Sequence, residues 1–318
     1  MQNKLSIFIP TYNRWGVLAN TLERTLSKNL LNFPVFIVDN DSNTHERDKV
    51  IEVIRKYPQI SCTIIKNEMN LGGDGNLLRC IELCKSEYIL LLGDDDFLSD
   101  DYANKISSYL NSDINWGYIS FSDRTHSRQT DFAFYSPYEL VKSSNDWSEL
   151  LFTSTSIFNK DILKNGMWEA QRAQFTCSSH LIGMLKGWEK IKENGKNWRF
   201  LLSSQQLIVS SGHAREDNSF ELINVFAGLS LLENFFHETN THYIIRSAVR
   251  GGTRRVFKPR VLAKVFFRYT LRFGLLASWR LMVPIRRGLS YSIGYRAFFY
   301  RWYLPIVIFI AGITHAVF

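Results

Sequence analysis

The sequence has no Asp or Glu after Glu238, and this absence divides its charge into two parts. Residues 239–318 contain 14 Lys and Arg residues and no acids, a net charge of +14. Residues 1–238 contain 24 Lys and Arg residues against 30 acids, a net charge of −6. Aromatic residues are also frequent in the last part. This asymmetry predicts an anionic surface as the partner of the C-terminal part alone.

Cysteine is scarce, and its spacing excludes two classes of protein. The four cysteines (Cys62, Cys80, Cys84 and Cys177) form no CxxC pair, so neither a zinc site nor a disulfide framework is indicated. We expect reduced thiols, as in a cytosolic protein. The start of the chain shows no basic segment followed by a long apolar one, so we expect no secretion signal.

Long apolar runs are also few, and the C-terminal one is short for a membrane span. Residues 302–318 lack charged side chains for 17 positions, where about 20 apolar residues are needed to cross a bilayer. We expect an interfacial or embedded anchor; a true span and a helical subdomain folded onto the core are the alternatives. Upstream, basic residues at spacing four among apolar ones predict a helix lying in a membrane interface: Arg260, Lys264, Arg268 and Arg272. The apolar run 304–312 argues against nucleic acid as the partner.

Apolar runs alternate with helical patterns over residues 1–112. Four runs predict buried strands, at 5–9, 35–38, 60–65 and 88–92. Leu18, Leu22, Leu26 and Leu30 predict one face of an intervening helix. The alternation predicts an α/β fold with a mostly parallel central sheet. Residues 113–238 are less regular, with strands expected at 117–121, 152–158 and 200–209 and helices at 159–166, 181–188 and 222–236.

Polar side chains stand at the ends of three predicted strands, where ligands bind in parallel sheets. They are Thr11, Asn13 and Arg14, then Asp39 and Asn40, and then Asp94, Asp95 and Asp96. The three consecutive carboxylates favour Mg²⁺ or Mn²⁺, which prefer hard oxygen ligands and phosphate. A solvated acidic turn that caps the next helix is the alternative. A glycine-rich turn, residues 70–76, precedes another predicted helix and matches neither a P-loop nor a dinucleotide-binding fingerprint.

Four ordered motifs carry a family resemblance: LSIFIPTYNR, FIVDNDS, NLGGDGN and YILLLGDDDFL. Over about residues 3–105 the chain resembles the family 2 nucleotide-sugar glycosyltransferases. The tail and the LGDDDFL form are most similar to the bacterial O-antigen group, which includes abequosyltransferase-like enzymes. The resemblance implies a GT-A fold with a Rossmann-like sheet, a nucleoside-diphosphate sugar donor and Mg²⁺ or Mn²⁺.

The resemblance also implies roles for residues that match the family motifs. Donor contacts fall to Pro10, Thr11, Tyr12, Arg14, Asp39, Asn40, Gly72, Asn76, Asp94 and Asp95. Asp94 and Asp96 match the DxD pair, with Asp96 as the expected direct metal ligand. The chain departs from the pattern at Gly93, where many relatives have an Asp, so the carboxylate that contacts the ribose stays open between Asp94 and Asp95.

A second departure concerns the general base. Residues 177–181 read Cys-Ser-Ser-His-Leu where inverting relatives carry a Glu-Asp pair. His180 is one candidate base, with a structural histidine as the alternative. The segment 212–217 supplies others: Asp217 or Glu216 as base, Arg215 for the diphosphate and His213 as third metal ligand. A solvated polar loop is the alternative for this segment.

These patterns predict three regions and one activity. Residues 1–112 are the expected nucleotide-sugar-binding half, 113–238 the acceptor-binding half, and 239–318 a basic, aromatic, helical region that associates with a membrane. The resemblance implies transfer of a sugar to a lipid-linked saccharide in O-antigen or related surface polysaccharide synthesis. The expected location is the cytoplasmic face of the bacterial inner membrane. A nucleotidyltransferase with the same metal site and a non-catalytic membrane-docked scaffold are the alternatives.

Overall fold

The computed structural model describes residues 4–123, 127–174, 176–211 and 232–256, with a few single positions between 267 and 280. The chain divides into two compact units. The first unit contains residues 1–140, 152–172 and 179–214. The second contains residues 141–151, 173–178 and 215–318.

An eight-stranded sheet is the centre of the first unit, in the order β3-β2-β1-β4-β8-β6-β9-β7. β1 to β4 are mutually parallel, β8 is antiparallel to both β4 and β6, β6 and β9 are parallel, and β7 is antiparallel to β9. A separate antiparallel pair joins β5 to β10. The strands are β1 (Leu5–Thr11), β2 (Val35–Asp39), β3 (Cys62–Lys66), β4 (Tyr88–Leu91), β5 (Asp96–Leu98), β6 (Asn115–Ser122), β7 (Phe132–Phe134), β8 (Ser156–Asn159), β9 (Trp198–Gln206) and β10 (Ile208–Ser211).

The helices of the described residues follow the strands in alternation over the first hundred positions. They are α1 (Trp15–Ser27), α2 (Arg47–Lys56), α3 (Gly72–Leu83), α4 (Tyr102–Leu110), α5 (Pro137–Ser144), α6 (Trp147–Leu151), α7 (Lys160–Asn165), α8 (Met167–Arg172), α9 (Ser179–Ile191) and α10 (Thr239–Val256). β1 and β4 are almost wholly buried on both faces, as their continuous apolar sequences predict for central parallel strands. The predicted α/β class is confirmed.

Four local predictions differ from the structure. α1 ends at Ser27, so Leu30 lies beyond the helix and is 68% exposed, although Leu22 and Leu26 are buried as predicted. The predicted strand at 152–158 is a 3₁₀ turn, Thr153–Thr155, followed by the shorter β8. The glycine-rich segment is not a turn before a helix over its whole length, because α3 already begins at Gly72. Of the predicted helix at 222–236, only residues 232–236 are described, and Leu232–Phe235 form a 3₁₀ turn.

The topology brings several helix starts to one edge of the sheet. A helix that connects parallel strands runs opposite to them, so its N-terminus lies at their carboxyl ends. α3 follows β3 and starts at that edge. β6 is parallel to β4, because β8 is antiparallel to both, and β9 is parallel to β6. α9 leads into β9 and therefore also starts at the carboxyl edge. The starts of α3 and α9 are thus placed on the side of the sheet where β1, β2 and β4 end.

Glycines let α7 and α9 approach closely. A Cβ atom on Gly187 would lie 1.8 Å from the carbonyl oxygen of Ile162, and one on Gly166 would lie 1.8 Å from the carbonyl oxygen of Gly183. Side chains at these two positions are therefore incompatible with the observed backbone contact. This close backbone contact fixes the position of α9 against α7.

In the second unit, α10 packs beside α6. The hydroxyl of Ser247 donates to Oδ1 of Asn145 at 2.9 Å, and Nε1 of Trp147 donates to Oγ of Ser178 at 3.0 Å. The predicted basic stripe and the segment 302–318 lie outside the described residues, so their predictions stay untested. In the part of the chain that is described, no helix combines the length and the apolarity that crossing a bilayer requires.

Candidate active site

The acidic run forms a tight turn between β4 and β5. The backbone N–H of Asp96 donates to the carbonyl of Gly93 at 3.2 Å. Asp94, Asp95 and Asp96 are 6%, 4% and 5% exposed. These residues are therefore not the solvated turn that the sequence left open as an alternative, because three consecutive carboxylates are buried here.

The end of β1 and the start of α1 hold the first two carboxylates. Thr11 Oγ1 donates to Oδ2 of Asp94 at 2.9 Å, and the guanidinium of Arg14 reaches Oδ1 of Asp94 at 2.6 Å. The same guanidinium contacts Oδ2 of Asp95 at 2.9 Å. Thr21 on α1 donates to the backbone carbonyl of Asp94 at 2.8 Å. Two residues predicted at the donor site, Thr11 and Arg14, thus meet the acidic turn in space.

Asp96 is held by a residue that the sequence did not reveal. Ser154 Oγ donates to Oδ2 of Asp96 at 2.6 Å and accepts from the N–H of Gly93 at 2.8 Å. A Cβ atom on Gly93 would lie 2.5 Å from Oδ2 of Asp96. Gly93, the departure from the family pattern, therefore leaves the space that the Asp96 carboxylate occupies.

Asp39 ends β2 beside the same edge. It is 3% exposed, and its Oδ1 accepts from the N–H of Ser42 at 2.9 Å. The N–H of Asn40 donates to the carbonyl of Thr11 at 2.9 Å, which joins the ends of β1 and β2. Tyr12 is 44% exposed at this junction. The polar strand ends predicted from sequence are adjacent for these two strands.

Asn40 and Asn76 belong to a network of amide side chains that reaches into α3. Asn76 lies within α3, not in a loop, and its Nδ2 donates to the carbonyl of Val38 at 3.0 Å. Asn67 Nδ2 donates both to Oδ1 of Asn76 at 2.9 Å and to Oδ1 of Asn40 at 3.2 Å. The network ties the ends of β2 and β3 to the first turn of α3. Gly72 starts this turn with φ +75°.

A carboxylate of α3 lies beside the start of α9. Asp74 in the first turn of α3 accepts a hydrogen bond from Ser179 Oγ at 3.1 Å. Next to Ser179, His180 is 2% exposed, and the edge of its ring meets the ring of Phe158, with centroids 5.8 Å apart. The sequence shows no acid at residues 177–181. It did not predict Asp74 as the carboxylate beside this segment, because Asp74 is about a hundred residues away along the chain.

The remaining candidates follow β10 directly. Ser211, the last residue of β10, pairs with Asp96 of β5. His213, Arg215, Glu216 and Asp217 lie outside the described residues, so their predicted roles stay predictions. Along the chain they follow Ser211, the strand partner of Asp96, by two to six positions.

Burial disfavours ionisation of two of the thiols, Cys62 and Cys84. None of the four cysteines, all of which lie among the described residues, is in a disulfide bond. Burial raises the pKa of Cys62 to about 12 and that of Cys84 to about 11, which disfavours the thiolate. Neither side chain is therefore suited to act as nucleophile or as a soft metal ligand at neutral pH.

The chemistry of the acidic turn fits a hard divalent cation. Within the described residues, no three His, Cys, Asp or Glu side chains are grouped as a ready-made metal site. Even so, the turn places three carboxylates in succession, of which Asp94 and Asp95 contact the guanidinium of Arg14 and Asp96 accepts from the hydroxyl of Ser154. Buried carboxylate oxygens in this arrangement are the ligand type that Mg²⁺ and Mn²⁺ prefer.

The acidic turn, the ends of β1, β2 and β4 and the start of α3 all lie within a segment that matches a known family. The model of glycosyl transferase family 2 matches residues 6–166, just over half of the chain. The chain belongs to glycosyl transferase family 2. The family predicted from the four motifs is thereby confirmed.

Curated glycosyltransferases are similar to parts of the chain. Abequosyltransferase RfbV of Salmonella typhimurium is 29% identical over 34% of this chain and 33% of its own length. The uncharacterized glycosyltransferase YwdF of Bacillus subtilis is 25% identical over 52% of the chain and 66% of its own length. UDP-Glc:alpha-D-GlcNAc-diphosphoundecaprenol beta-1,3-glucosyltransferase WfaP of Escherichia coli is 26% identical over 49% of the chain and 51% of its own length. The chain thus spans between a third and two thirds of these relatives.

Solved structures confirm the fold of this family 2 chain. TarS 1–349 of S. aureus in complex with UDP-GlcNAc has a TM-score of 0.56 at 13% identity, covering 98% of this chain and 91% of that one. Mannosyltransferase PcManGT of Pyrobaculum calidifontis, with GDP-Man and Mn²⁺, has a TM-score of 0.55 at 12% identity, covering 99% and 88%. The predicted GT-A fold is confirmed.

Proposed function

We propose that this family 2 chain transfers a sugar from a nucleoside-diphosphate sugar to a lipid-linked saccharide, in O-antigen or related surface polysaccharide synthesis. The buried acidic turn carries the proposal, because Thr11, Arg14 and Ser154 hold its carboxylates at the carboxyl edge of a GT-A sheet. Relatives named as an abequosyltransferase and as a diphosphoundecaprenol-dependent glucosyltransferase support the substrate class. Neighbours solved with UDP-GlcNAc and with GDP-Man support the donor class.

Asp96 is the proposed principal ligand of Mg²⁺ or Mn²⁺, with Asp94 and His213 as further ligands. When bound, the cation supplies positive charge that stabilises the departing diphosphate. Asp39 is proposed to accept a hydrogen bond from the base of the donor. Arg14 and Arg215 are proposed to face the diphosphate, where a guanidinium forms two parallel bonds to phosphate oxygens.

In the proposed reaction the acceptor hydroxyl oxygen forms a bond to the anomeric carbon of the donor sugar. The bond from that carbon to the diphosphate oxygen breaks, and the nucleoside diphosphate departs with both electrons. The hydroxyl proton passes to a protein base. Asp217, Glu216 and Asp74 are the carboxylates proposed for this step. The burial of His180 against Phe158 favours a packing role for that side chain.

Nucleotide binding tests the proposal directly. In a thermal-shift panel of UDP, CDP, GDP and dTDP with and without Mn²⁺, we expect one diphosphate to raise Tm only when Mn²⁺ is present. A ligand at 100 times its Kd stabilises the native state by about 2.7 kcal/mol. The matching nucleotide sugar must then release nucleoside diphosphate; release of pyrophosphate would indicate a nucleotidyltransferase. No shift with any nucleotide in folded protein would favour the scaffold.

The basic C-terminal part is proposed to dock the chain on anionic lipid at the cytoplasmic face of the inner membrane. Each Lys or Arg near such a surface contributes about 1 kcal/mol. Changing four stripe residues to Gln is expected to lower partitioning onto vesicles that contain phosphatidylglycerol by roughly a thousandfold. The four are Arg260, Lys264, Arg268 and Arg272.

The control for this prediction changes four exposed lysines of the first unit to Gln: Lys49, Lys56, Lys66 and Lys85. It is expected to leave vesicle flotation nearly unchanged. Flotation of the stripe variant should also be the less sensitive of the two to added salt, because screening acts on the charges it has lost. Equal flotation of both variants at low and high salt would contradict electrostatic docking and favour apolar insertion.

A further inference from the structure

Asn40 stands directly after Asp39, where the sequence predicted a donor contact. Its side chain is 2% exposed and lies at the centre of the amide network. Nδ2 donates to Oδ1 of Asn70 at 2.8 Å and to the carbonyl of Gly72 at 3.2 Å. Oδ1 accepts from the N–H of Leu71 at 2.9 Å and from Nδ2 of Asn67 at 3.2 Å.

These four bonds use the whole hydrogen-bonding capacity of the side chain. An asparagine amide has two N–H donors and an oxygen with two lone pairs. Both donors and both lone pairs of Asn40 are already engaged by the protein. A bound nucleotide therefore has no group of this side chain left to contact.

The segment that Asn40 holds, residues 70–72, follows the end of β3, which is bonded to Asp39. The N–H of Asn67 donates to the carbonyl of Asp39 at 2.8 Å, and Asn70 Oδ1 accepts from the N–H of Gly72 at 2.8 Å as well as from Asn40. Leu71 is 40% exposed on this segment, and a Cβ atom on Gly72 would have no atom within 4 Å. The segment is thus anchored from beneath and open on its outer side.

We infer that Asn40 is a positioning residue, which holds residues 70–72 as a preformed wall beside Asp39 for the nucleoside part of the donor. The inference rests on the proposed function, and it assigns Asn40 an indirect role in place of the predicted contact. An amide is required, because the side chain donates two bonds and accepts two. A carboxylate of the same shape would keep the two accepted bonds. Its second oxygen would face Oδ1 of Asn70 and the carbonyl oxygen of Gly72, which are acceptors, so both donated bonds would be lost.

Asn40→Asp tests this role with an almost isosteric change. Loss of the two donated bonds frees residues 70–72, so the Kd of the nucleoside diphosphate is expected to rise on the order of 10-fold. The probe is whichever of UDP, CDP, GDP or dTDP binds the wild type with Mn²⁺, measured by calorimetry. Amide hydrogen exchange is expected to quicken at Leu71 and Gly72. The matched control is Asn104→Asp, at an exposed position of α4.

A pH series separates positioning from general stability. Protonation restores a donor to the introduced carboxyl, and burial raises its pKa. The ratio of the Kd of Asn40→Asp to the Kd of the wild type, both measured at the same pH, is therefore expected to fall towards 1 as the pH is lowered from 8 to 5. Asn70→Ala removes the acceptor of one Asn40 bond at an exposed position, and it is also expected to raise the Kd. This second variant keeps the test available if Asn40→Asp does not fold.

The outcomes are distinct. Unchanged Kd in Asn40→Asp and Asn70→Ala, at every pH and whatever happens to Tm, would overturn the inference, because a merely structural residue alters Tm alone. Absence of binding by the wild type would overturn the proposed function itself. Binding by the wild type with unchanged binding by the variants would overturn only the positioning role.

Discussion

Asp96→Asn is expected to abolish the Mn²⁺-dependent rise in Tm with nucleoside diphosphate and to lower sugar transfer by about 10²–10³-fold. Removing one group that stabilises developing charge typically has an effect of this size. The amide preserves the shape of the side chain, and its oxygen can still accept from Ser154. The loss would therefore come from charge. Thermal shift with and without Mn²⁺ measures binding, and release of nucleoside diphosphate measures transfer.

The ligand-free variant supplies a second signature. Three buried carboxylates in succession repel one another, so removing one charge is expected to leave Tm unchanged or to raise it. Asp100→Asn is the matched control, since its side chain is 69% exposed and lies 3.5 Å from Lys28. Surface ion pairs of this kind contribute at most about 1 kcal/mol. If Asp96→Asn retains the same Mn²⁺-dependent shift as Asp100→Asn, then Asp96 is not the metal ligand.

Gly187→Ala is expected to destabilise the first unit by about 3 kcal/mol. The new methyl group would lie 1.8 Å from the carbonyl oxygen of Ile162, so α7 and α9 must separate. Overpacking a core costs about 1–3 kcal/mol, and the upper end applies here because a backbone atom, and not a flexible side chain, is in the way. Urea unfolding followed by circular dichroism measures the shift in midpoint.

Gly73→Ala is the control for this substitution. A Cβ atom at Gly73 would have no atom within 4 Å, and the position lies inside α3. Alanine in a helix is favoured over glycine by roughly 0.5–1 kcal/mol, so this variant is expected to be neutral or slightly more stable. Equal midpoints for the two variants would show that the contact between α7 and α9 relaxes without cost.

Local pattern was sufficient to predict the strands of the first hundred residues. Continuous apolar runs, as at the start of β1, occur where a strand is buried on both faces, and their boundaries agree with the structure to within two residues. The helix faces followed from apolar spacing. The boundaries were less accurate where a second signal competed, as at Leu30, which continues the period of α1 after the chain has turned.

Sequence alone also determined the family and the residues grouped at the strand ends, because parallel strands bring their carboxyl ends to one edge. Tertiary structure decided what each of those residues touches. Ser154 reaches Asp96, and Asp74 reaches Ser179, across 58 and 105 positions. All four hydrogen bonds of the Asn40 side chain are made to other groups of the protein. Such contacts depend on packing between distant elements, which no periodicity or motif encodes, and they separate side chains that face a ligand from those that hold the site in place.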